Sequence, residues 1–163
     1  MRKIAVVLLT LGLVGCAARR LEKSAVLILP QEVALNGGKV DLRPAVAITW
    51  DSDEPVAVYV ARGRGFDGRR EETVVGTWKL YAADGKEVEQ VTTYMGVVTV
   101  ANGTSEVRRG DSCILPFTPF GSYSFANARP GRYYAIARFT GTFRGAEVRF
   151  TTEKRWFTLV GER

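Results

Sequence analysis

From residue 25 onward, short runs of β-branched and aromatic residues alternate with turn residues. No amphipathic stretch of helical period longer than about ten residues is free of Gly, Pro or β-branched clusters. This pattern predicts an all-β sandwich or barrel. The predicted strands are residues 25–29, 45–50, 56–61, 77–81, 91–101, 112–117, 132–140 and 146–160, the last interrupted near residue 154.

Residues 132–139 form the clearest predicted strand, because successive side chains of a strand point to opposite faces of a sheet. One face takes apolar and aromatic residues: Tyr133, Ala135, Ala137 and Phe139. The other face takes Arg132, Tyr134 and Arg138, with Ile136 the one apolar residue out of place. We therefore expect the first face to be buried and the second to meet solvent.

Two dipeptides are typical of tight hairpin turns. Asp84-Gly85 and Asn102-Gly103 both accept the positive φ angles that such turns require. We expect a hairpin at each of them.

The start of the 132–140 strand resembles strand F of immunoglobulin-like (Ig-like) domains. There a Gly turn leads into a Tyr whose hydroxyl bonds back to the preceding corner, as Gly131 and Tyr133 would here. Antibody domains carry a disulfide cysteine two residues after that Tyr, where this chain has Ala135. The resemblance implies a single Ig-like antiparallel β-sandwich over residues 25–163; another β-sandwich or an open barrel is the alternative.

The N-terminus has a different pattern. Arg2 and Lys3 precede an apolar run over residues 4–14, which is too short for the roughly 20 residues of a membrane-spanning helix. A short basic start followed by such a run is typical of a cleaved export signal, here a predicted helix.

The end of this run, Leu13-Val14-Gly15-Cys16, resembles the lipobox of bacterial lipoproteins at all four positions. The resemblance implies cleavage after residue 15 and acylation of Cys16, which anchors the mature chain to a membrane. Two or three acyl chains hold a protein firmly on a bilayer. The predicted organisation is a signal peptide (1–15), a lipidated cysteine with a tether (16–24), and the β-sandwich (25–163).

The predicted location and the net charge of the mature chain limit the classes of partner that it could bind. Ala17, rather than Asp, after the lipidated residue favours the periplasmic face of the outer membrane where a bacterium has two membranes. Without Arg2 and Lys3 the chain has 21 basic and 17 acidic residues, a net charge of +4. This mild excess suits an anionic envelope polymer or an envelope protein, whereas the compartment argues against nucleic acid.

Several catalytic classes lack their usual residues. The chain has no histidine, which removes the common nucleophile–base systems and His-ligated zinc. Cys113 has no evident activating neighbour, and a small buried hydrophobic residue is the favoured interpretation. With Cys16 acylated, no intramolecular disulfide can form. We expect neither catalysis nor a cofactor.

Carboxylates remain as candidate chemistry. Asp51, Asp53 and Glu54 in one turn could supply part of a calcium site, although a solvated connection between strands is favoured and no metal is predicted. Glu71 and Glu72 could contribute to a carboxylate pair of the glycosidase type, which is the weakest of the hypotheses.

The best candidate for binding is the segment 62–70, with four arginines and three glycines around Phe66. Its cationic residues suit the phosphate or carboxylate groups of an envelope polymer: Arg62, Arg64, Arg69 and Arg70. A solvated hairpin loop is the alternative interpretation.

Residues 116–125 are rich in aromatic side chains. If exposed, Phe117 and Phe120 would form a partner-binding patch together with Phe66; if buried, they would close one end of the core. We thus expect a lipid-anchored envelope module for binding or assembly, without catalytic activity. An envelope peptidase inhibitor of β-sandwich type is the second hypothesis, and an enzyme using carboxylates alone is the third.

Overall fold

The computed structural model describes residues 23–36, 39–40, 42, 44–64, 70–92, 98–111, 113–117, 123–125 and 127–161. These residues form fifteen β-strands and no helix. The strands are β1 (Lys23–Ile28), β2 (Glu32–Asn36), β3 (Lys39–Val40), β4 (Ala45–Trp50), β5 (Val56–Arg64), β6 (Arg70–Val74), β7 (Gly76–Ala82), β8 (Glu87–Val88), β9 (Gln90–Thr92), β10 (Val98–Val107), β11 (Cys113–Pro116), β12 (Tyr123–Phe125), β13 (Gly131–Phe143), β14 (Ala146–Thr151) and β15 (Arg155–Gly161). The predicted all-β class is confirmed, whereas the predicted signal helix and Cys16 lie outside the described residues.

The strands form two sheets. The small sheet has the order β1-β4-β11, and its strand pairs are antiparallel. The other twelve strands form the large sheet, in which β13 is the central strand. Along one edge β13 pairs first with β15 and then with β14, and along the other edge with β7 and then with β5. The arrangement is consistent with a β-sandwich.

One strand pair departs from the predicted antiparallel arrangement. β2 runs parallel to β15, in register from Glu32 opposite Thr158 to Leu35 opposite Gly161. Pro30 lies between β1 and β2 and cannot donate a backbone hydrogen bond to a ladder. The chain therefore leaves the small sheet there and joins the edge of the large one.

The inner faces of the two sheets meet in an aromatic core. Trp50 of the small sheet lies with its ring centroid 5.0 Å from that of Phe143 and 6.5 Å from that of Phe150. Phe150 stacks on Phe139 at 4.8 Å, and Phe139 meets Phe117 edge-on at 6.2 Å. Such offset and edge-on pairs are favoured ring geometries.

Phe117 thus lies in the core and not on a partner-binding surface. Its side chain is only 1% exposed, and its amide donates to the carbonyl of Pro44 at 2.7 Å. A side chain this deeply buried contributes to stability through the apolar area it removes from water. Of the two interpretations of the 116–125 segment, closure of the core is the one that holds for Phe117.

The predicted strand at 132–140 has the expected inner face. All four predicted core residues are buried, namely Tyr133, Ala135, Ala137 and Phe139. On the opposite face Arg132 and Arg138 are exposed as expected. Tyr134 differs, because it is only 7% exposed despite facing outward.

Of the two predicted turns, one is confirmed and one is wrong. Gly85 has a φ of 88° and donates its amide to the carbonyl of Ala82, which closes the β7–β8 hairpin. Asn102 and Gly103 instead lie within β10, opposite Ala61 and Val60 of β5. The sequence pattern also did not predict β2, β3, β6, β8 and β12.

Candidate functional site

The arginine-rich segment forms the end of a hairpin. β5 and β6 pair in antiparallel register, and the last pair before the connection is Arg64 opposite Arg70. The connection itself, residues 65–69, contains Phe66 and Arg69 and lies outside the described residues. We call β5 and β6, with Arg62, Arg64 and Arg70, the arginine hairpin.

The arginine hairpin extends beyond the hydrophobic core. Val56, Val58 and Val60 of β5 are fully buried on the inner face of the sheet. Because side chains alternate, Arg62 and Arg64 continue that same face past the end of the core. The face therefore changes from apolar to cationic between positions 60 and 62.

Arg62 has a fixed position on this face. Its Nη2 atom donates to the carbonyl of Thr104 at 2.8 Å and lies 3.3 Å from a carboxylate oxygen of Glu72. A Cβ atom at position 103 would lie 3.0 Å from Nη1 of Arg62. The guanidinium of Arg62 therefore lies in the space that a side chain at position 103 would enter.

Arg64 and Arg70 have a different environment. Both are exposed, and within the described part of the chain no carboxylate forms an ion pair with either. Directly opposite residues of an antiparallel pair have Cβ atoms about 4.5–5.5 Å apart, and like charges there are destabilising. An anion between the two guanidinium groups would convert this repulsion into two charge-assisted hydrogen bonds.

The acidic turn after β4 is neutralised by arginines. Arg109 lies 2.8 Å from a carboxylate oxygen of Asp51 and 2.9 Å from one of Asp53. Arg144 binds both carboxylate oxygens of Glu54, and this hydrogen bonding lowers the pKa of Glu54. These ion pairs tie the β4–β5 turn to the β10–β11 and β13–β14 turns. In the described residues no group of three or more Cys, Asp or Glu is arranged to hold a metal ion.

The surroundings of two other residues with candidate chemistry, Cys113 and Glu72, disfavour reactivity. Burial raises the pKa of the half-buried Cys113 thiol, and the carboxylates of Glu72 and Asp111 raise it further. A thiol is nucleophilic as the thiolate, so these surroundings suppress its reactivity near neutral pH. Glu72 is itself paired with Arg62.

A row of aromatic rings crosses the outer face of the large sheet. Tyr134 of β13 lies opposite Tyr81 of β7 and Trp156 of β15, with ring centroids 5.0 and 4.9 Å away. The guanidinium of Arg132 lies 4.7 Å from the ring of Trp156, and the ammonium of Lys154 lies 4.6 Å from the ring of Tyr134. These neighbours explain why Tyr134 is buried on an outward face.

Sequence reasoning did not identify this row. The available signal was that an aromatic residue, Tyr134, and an apolar residue, Ile136, lie on a face predicted to meet solvent. Only the pairing of β13 with β7 and β15 brings the three rings together.

We compared the chain with known families, proteins and structures. No family model, curated protein or solved structure matches it. The described residues contain no helix that is long and apolar enough to cross a membrane. The chemistry of the surface groups is therefore the basis for a functional assignment. The arginine hairpin is the candidate anion-binding site, because Arg64 and Arg70 are exposed and no carboxylate of the described residues balances their charge.

Proposed function

We propose that this chain is a lipoprotein of the bacterial cell envelope that binds an anionic envelope polymer and catalyses no reaction. Its membrane attachment is through acylated Cys16, on the periplasmic face of the outer membrane in a bacterium with two membranes. Support for the anchor comes from the basic start, the apolar run and the lipobox-like residues 13–16.

We further propose that the β-sandwich is Ig-like. The hydroxyl of Tyr133 donates to the carbonyl of Arg129 at 2.8 Å, four residues earlier. A hydrogen bond from a Tyr near the start of a strand back to the preceding corner is a hallmark of Ig-like sandwiches. Together with the two-sheet architecture, this contact supports the assignment.

The observation that carries the binding function is the pairing of Arg64 with Arg70. The two cations face each other across the hairpin on a surface that extends past the core. Arginine binds carboxylate and phosphate groups in a bidentate manner, which suits the repeating anionic groups of a polymer. Arg62, although partly neutralised by Glu72, borders the same face. We propose Arg69 as a further contact because of its position in the connecting segment.

The two alternative functions, a peptidase inhibitor and an enzyme that uses carboxylates alone, have less support. A peptidase inhibitor would need an exposed apolar segment, but Phe117 is buried, while Phe66 and Phe120 lie outside the described residues. An enzyme based on carboxylates would need free acidic groups in a cleft. Of the carboxylates on which that hypothesis rests, Glu72 is paired with Arg62, and the acidic turn is bound by Arg109 and Arg144.

A direct test measures binding of the purified mature protein to polyphosphate and to polyglutamate at low salt. We expect the variant Arg64→Gln/Arg70→Gln to bind at least about tenfold more weakly than the wild type, since both charge-assisted contacts are lost. The control variant Arg108→Gln/Arg149→Gln removes the same charge elsewhere, from arginines that pair with Glu106 and Glu147. If both variants weaken binding equally, net charge rather than the hairpin is responsible.

Anchoring requires its own experiment. Cells expressing the wild type and Cys16→Ser are fed a clickable fatty acid, and the label on the protein is compared. We expect the wild type to be labelled and shortened, and Cys16→Ser to remain an unlabelled precursor. Equal labelling of the two forms would contradict acylation at Cys16.

A further inference from the structure

Among the residues whose side chains the structure describes, the outer face of the small sheet carries no charge. Eight residues of β1, β4 and β11 point away from the core there: Ser24, Val26, Ile28, Ala45, Ala47, Thr49, Ile114 and Pro116. Strand register arranges six of them in two rows across the sheet, Val26-Ala47-Ile114 and Ile28-Ala45-Pro116. We call these eight residues the apolar face.

The apolar face is exposed to an unusual degree. Val26 is 55% exposed, Ile28 39% and Ile114 59%. Charged residues make up 25% of the chain, yet none of the eight positions carries a charge. The outer face of the large sheet, by contrast, carries Lys79 and Arg138 beside its aromatic row. A contiguous apolar area of this kind on a protein surface marks an interaction site.

The length and charge of the preceding chain indicate what covers this face. Only six residues lie between Cys16 and Lys23, where β1 begins, so at most about 25 Å separates the acylated residue from the sheet. The segment between them contains Arg19 and Arg20, and basic residues next to a membrane anchor are attracted to anionic lipid headgroups.

We propose that the apolar face lies against the lipid bilayer that holds Cys16. This inference rests on the proposed acylation of Cys16. An aliphatic face without charges can enter the membrane–water interface without the cost of desolvating an ion. Its two hydroxyl residues, Ser24 and Thr49, lie together in one row at the end of the face. In this orientation the outer face of the large sheet is directed away from the membrane.

The test uses the mature acylated protein in vesicles of phosphatidylethanolamine and phosphatidylglycerol that contain a spin-labelled lipid. A fluorophore is attached at Ile114→Cys in a Cys113→Ser background, and quenching by the spin label is measured. The matched control is Thr77→Cys, an exposed position on the outer face of the large sheet. We expect at least threefold stronger quenching at position 114 than at position 77.

A second probe protects the test against a local perturbation by the label. Thr49→Cys replaces an exposed polar residue of the apolar face, and we expect it to be quenched more strongly than Thr77→Cys as well. If the protein floats with the vesicles but all three positions are quenched equally, the inference is overturned while the anchor stands. Crosslinking of position 114 between copies, without quenching by lipid, would overturn it in favour of a second copy. If the protein does not float, both the anchor and the inference fail.

Discussion

The hydroxyl group of Tyr133 bonds to both polar backbone groups of Arg129. It donates to the carbonyl oxygen at 2.8 Å and accepts from the amide nitrogen at 3.1 Å. The Tyr133 ring is buried against Phe157, with centroids 6.4 Å apart. One side chain thus fixes the corner before β13 and fills the adjacent core.

These two roles can be separated by substitution. We expect Tyr133→Phe to lower the free energy of unfolding by about 1–2 kcal/mol, because the ring remains while the hydrogen bonds are lost. Tyr133→Ala should cost about 3–5 kcal/mol, since it also opens a cavity. Urea denaturation measures both, with Tyr59→Phe at a 38% exposed tyrosine as the control. Near-neutral effects of both Tyr133 variants would refute the structural role.

The inner face of β13 could be predicted because burial on one side of a sheet produces a period of two in the sequence. The same rule failed for Tyr134, which is buried by Tyr81 and Trp156 on neighbouring strands. Contacts of this kind depend on strand register, and a single strand contains no information about its partners.

Other errors arise where tertiary contacts override local signals. β6 has few apolar residues because Arg70 and Glu72 lie beyond the core, so hydrophobic periodicity could not reveal it. Asn102-Gly103 is suited to a turn, but Arg62 lies across Gly103 and both residues remain in β10. For the candidate site, the composition of segment 62–70 identified the arginines. That Arg64 lies opposite Arg70 could be learned only from the pairing of β5 with β6.

A glycine in β13 allows β5 to approach closely. A Cβ atom at position 141 would lie 2.5 Å from the carbonyl oxygen of Ala57. We expect Gly141→Ala to lower the free energy of unfolding by more than about 2 kcal/mol, because backbone must shift to relieve the overlap. Gly110→Ala is the control: its φ is 79° with no atom within 4 Å, so only backbone strain of about 1 kcal/mol is expected. Equal losses in urea denaturation would show that packing at position 141 is not the cause.

The ion pair between Glu54 and Arg144 predicts a dependence of stability on pH. The hydrogen bond from Arg144 lowers the pKa of Glu54 from its ordinary value of 4.5. A lowered pKa in the folded state means that the contribution is present above the unfolded value and is lost as the pH falls through the folded one. We expect the stability difference between wild type and Glu54→Gln to be constant above about pH 5.5 and to shrink below the ordinary value.

Unfolding midpoints in urea at a series of pH values test this expectation. Because Glu54 is exposed, 1 M salt should reduce the difference at neutral pH by screening the ion pair. Identical pH profiles for the two proteins would mean that the contact with Arg144 does not stabilise the fold.

The thiol of Cys113 should react slowly until the pH is high. Burial raises its pKa first, and Glu72 and Asp111 add to the effect. We expect alkylation by iodoacetamide to have its pH midpoint above that of a free thiol, and Glu72→Gln to move this midpoint downward. Glu147→Gln, at a carboxylate that does not raise the pKa of this thiol, is the control. An unchanged midpoint in Glu72→Gln would exclude the carboxylate as a cause.

The contact between Arg132 and Trp156 tests whether attraction between cation and ring stabilises the aromatic row. The guanidinium carbon lies 4.7 Å from the ring centroid, within the distance at which cation and ring attract each other. In a double-mutant cycle of Arg132→Gln and Trp156→Leu, monitored by urea denaturation, we expect a coupling of about 0.5–1 kcal/mol.

The second cation in the row supplies the comparison. Tyr134 is more buried than Trp156, so its interaction with Lys154 is better shielded from water. The cycle of Lys154→Met and Tyr134→Leu should therefore give the larger coupling. A coupling near zero for both pairs would mean that the cations are solvated and contribute no attraction to the rings. A coupling confined to Lys154 and Tyr134 would instead mean that Arg132 and Trp156 do not hold each other. The Arg132 guanidinium and the exposed edge of Trp156 would then be free to bind other groups.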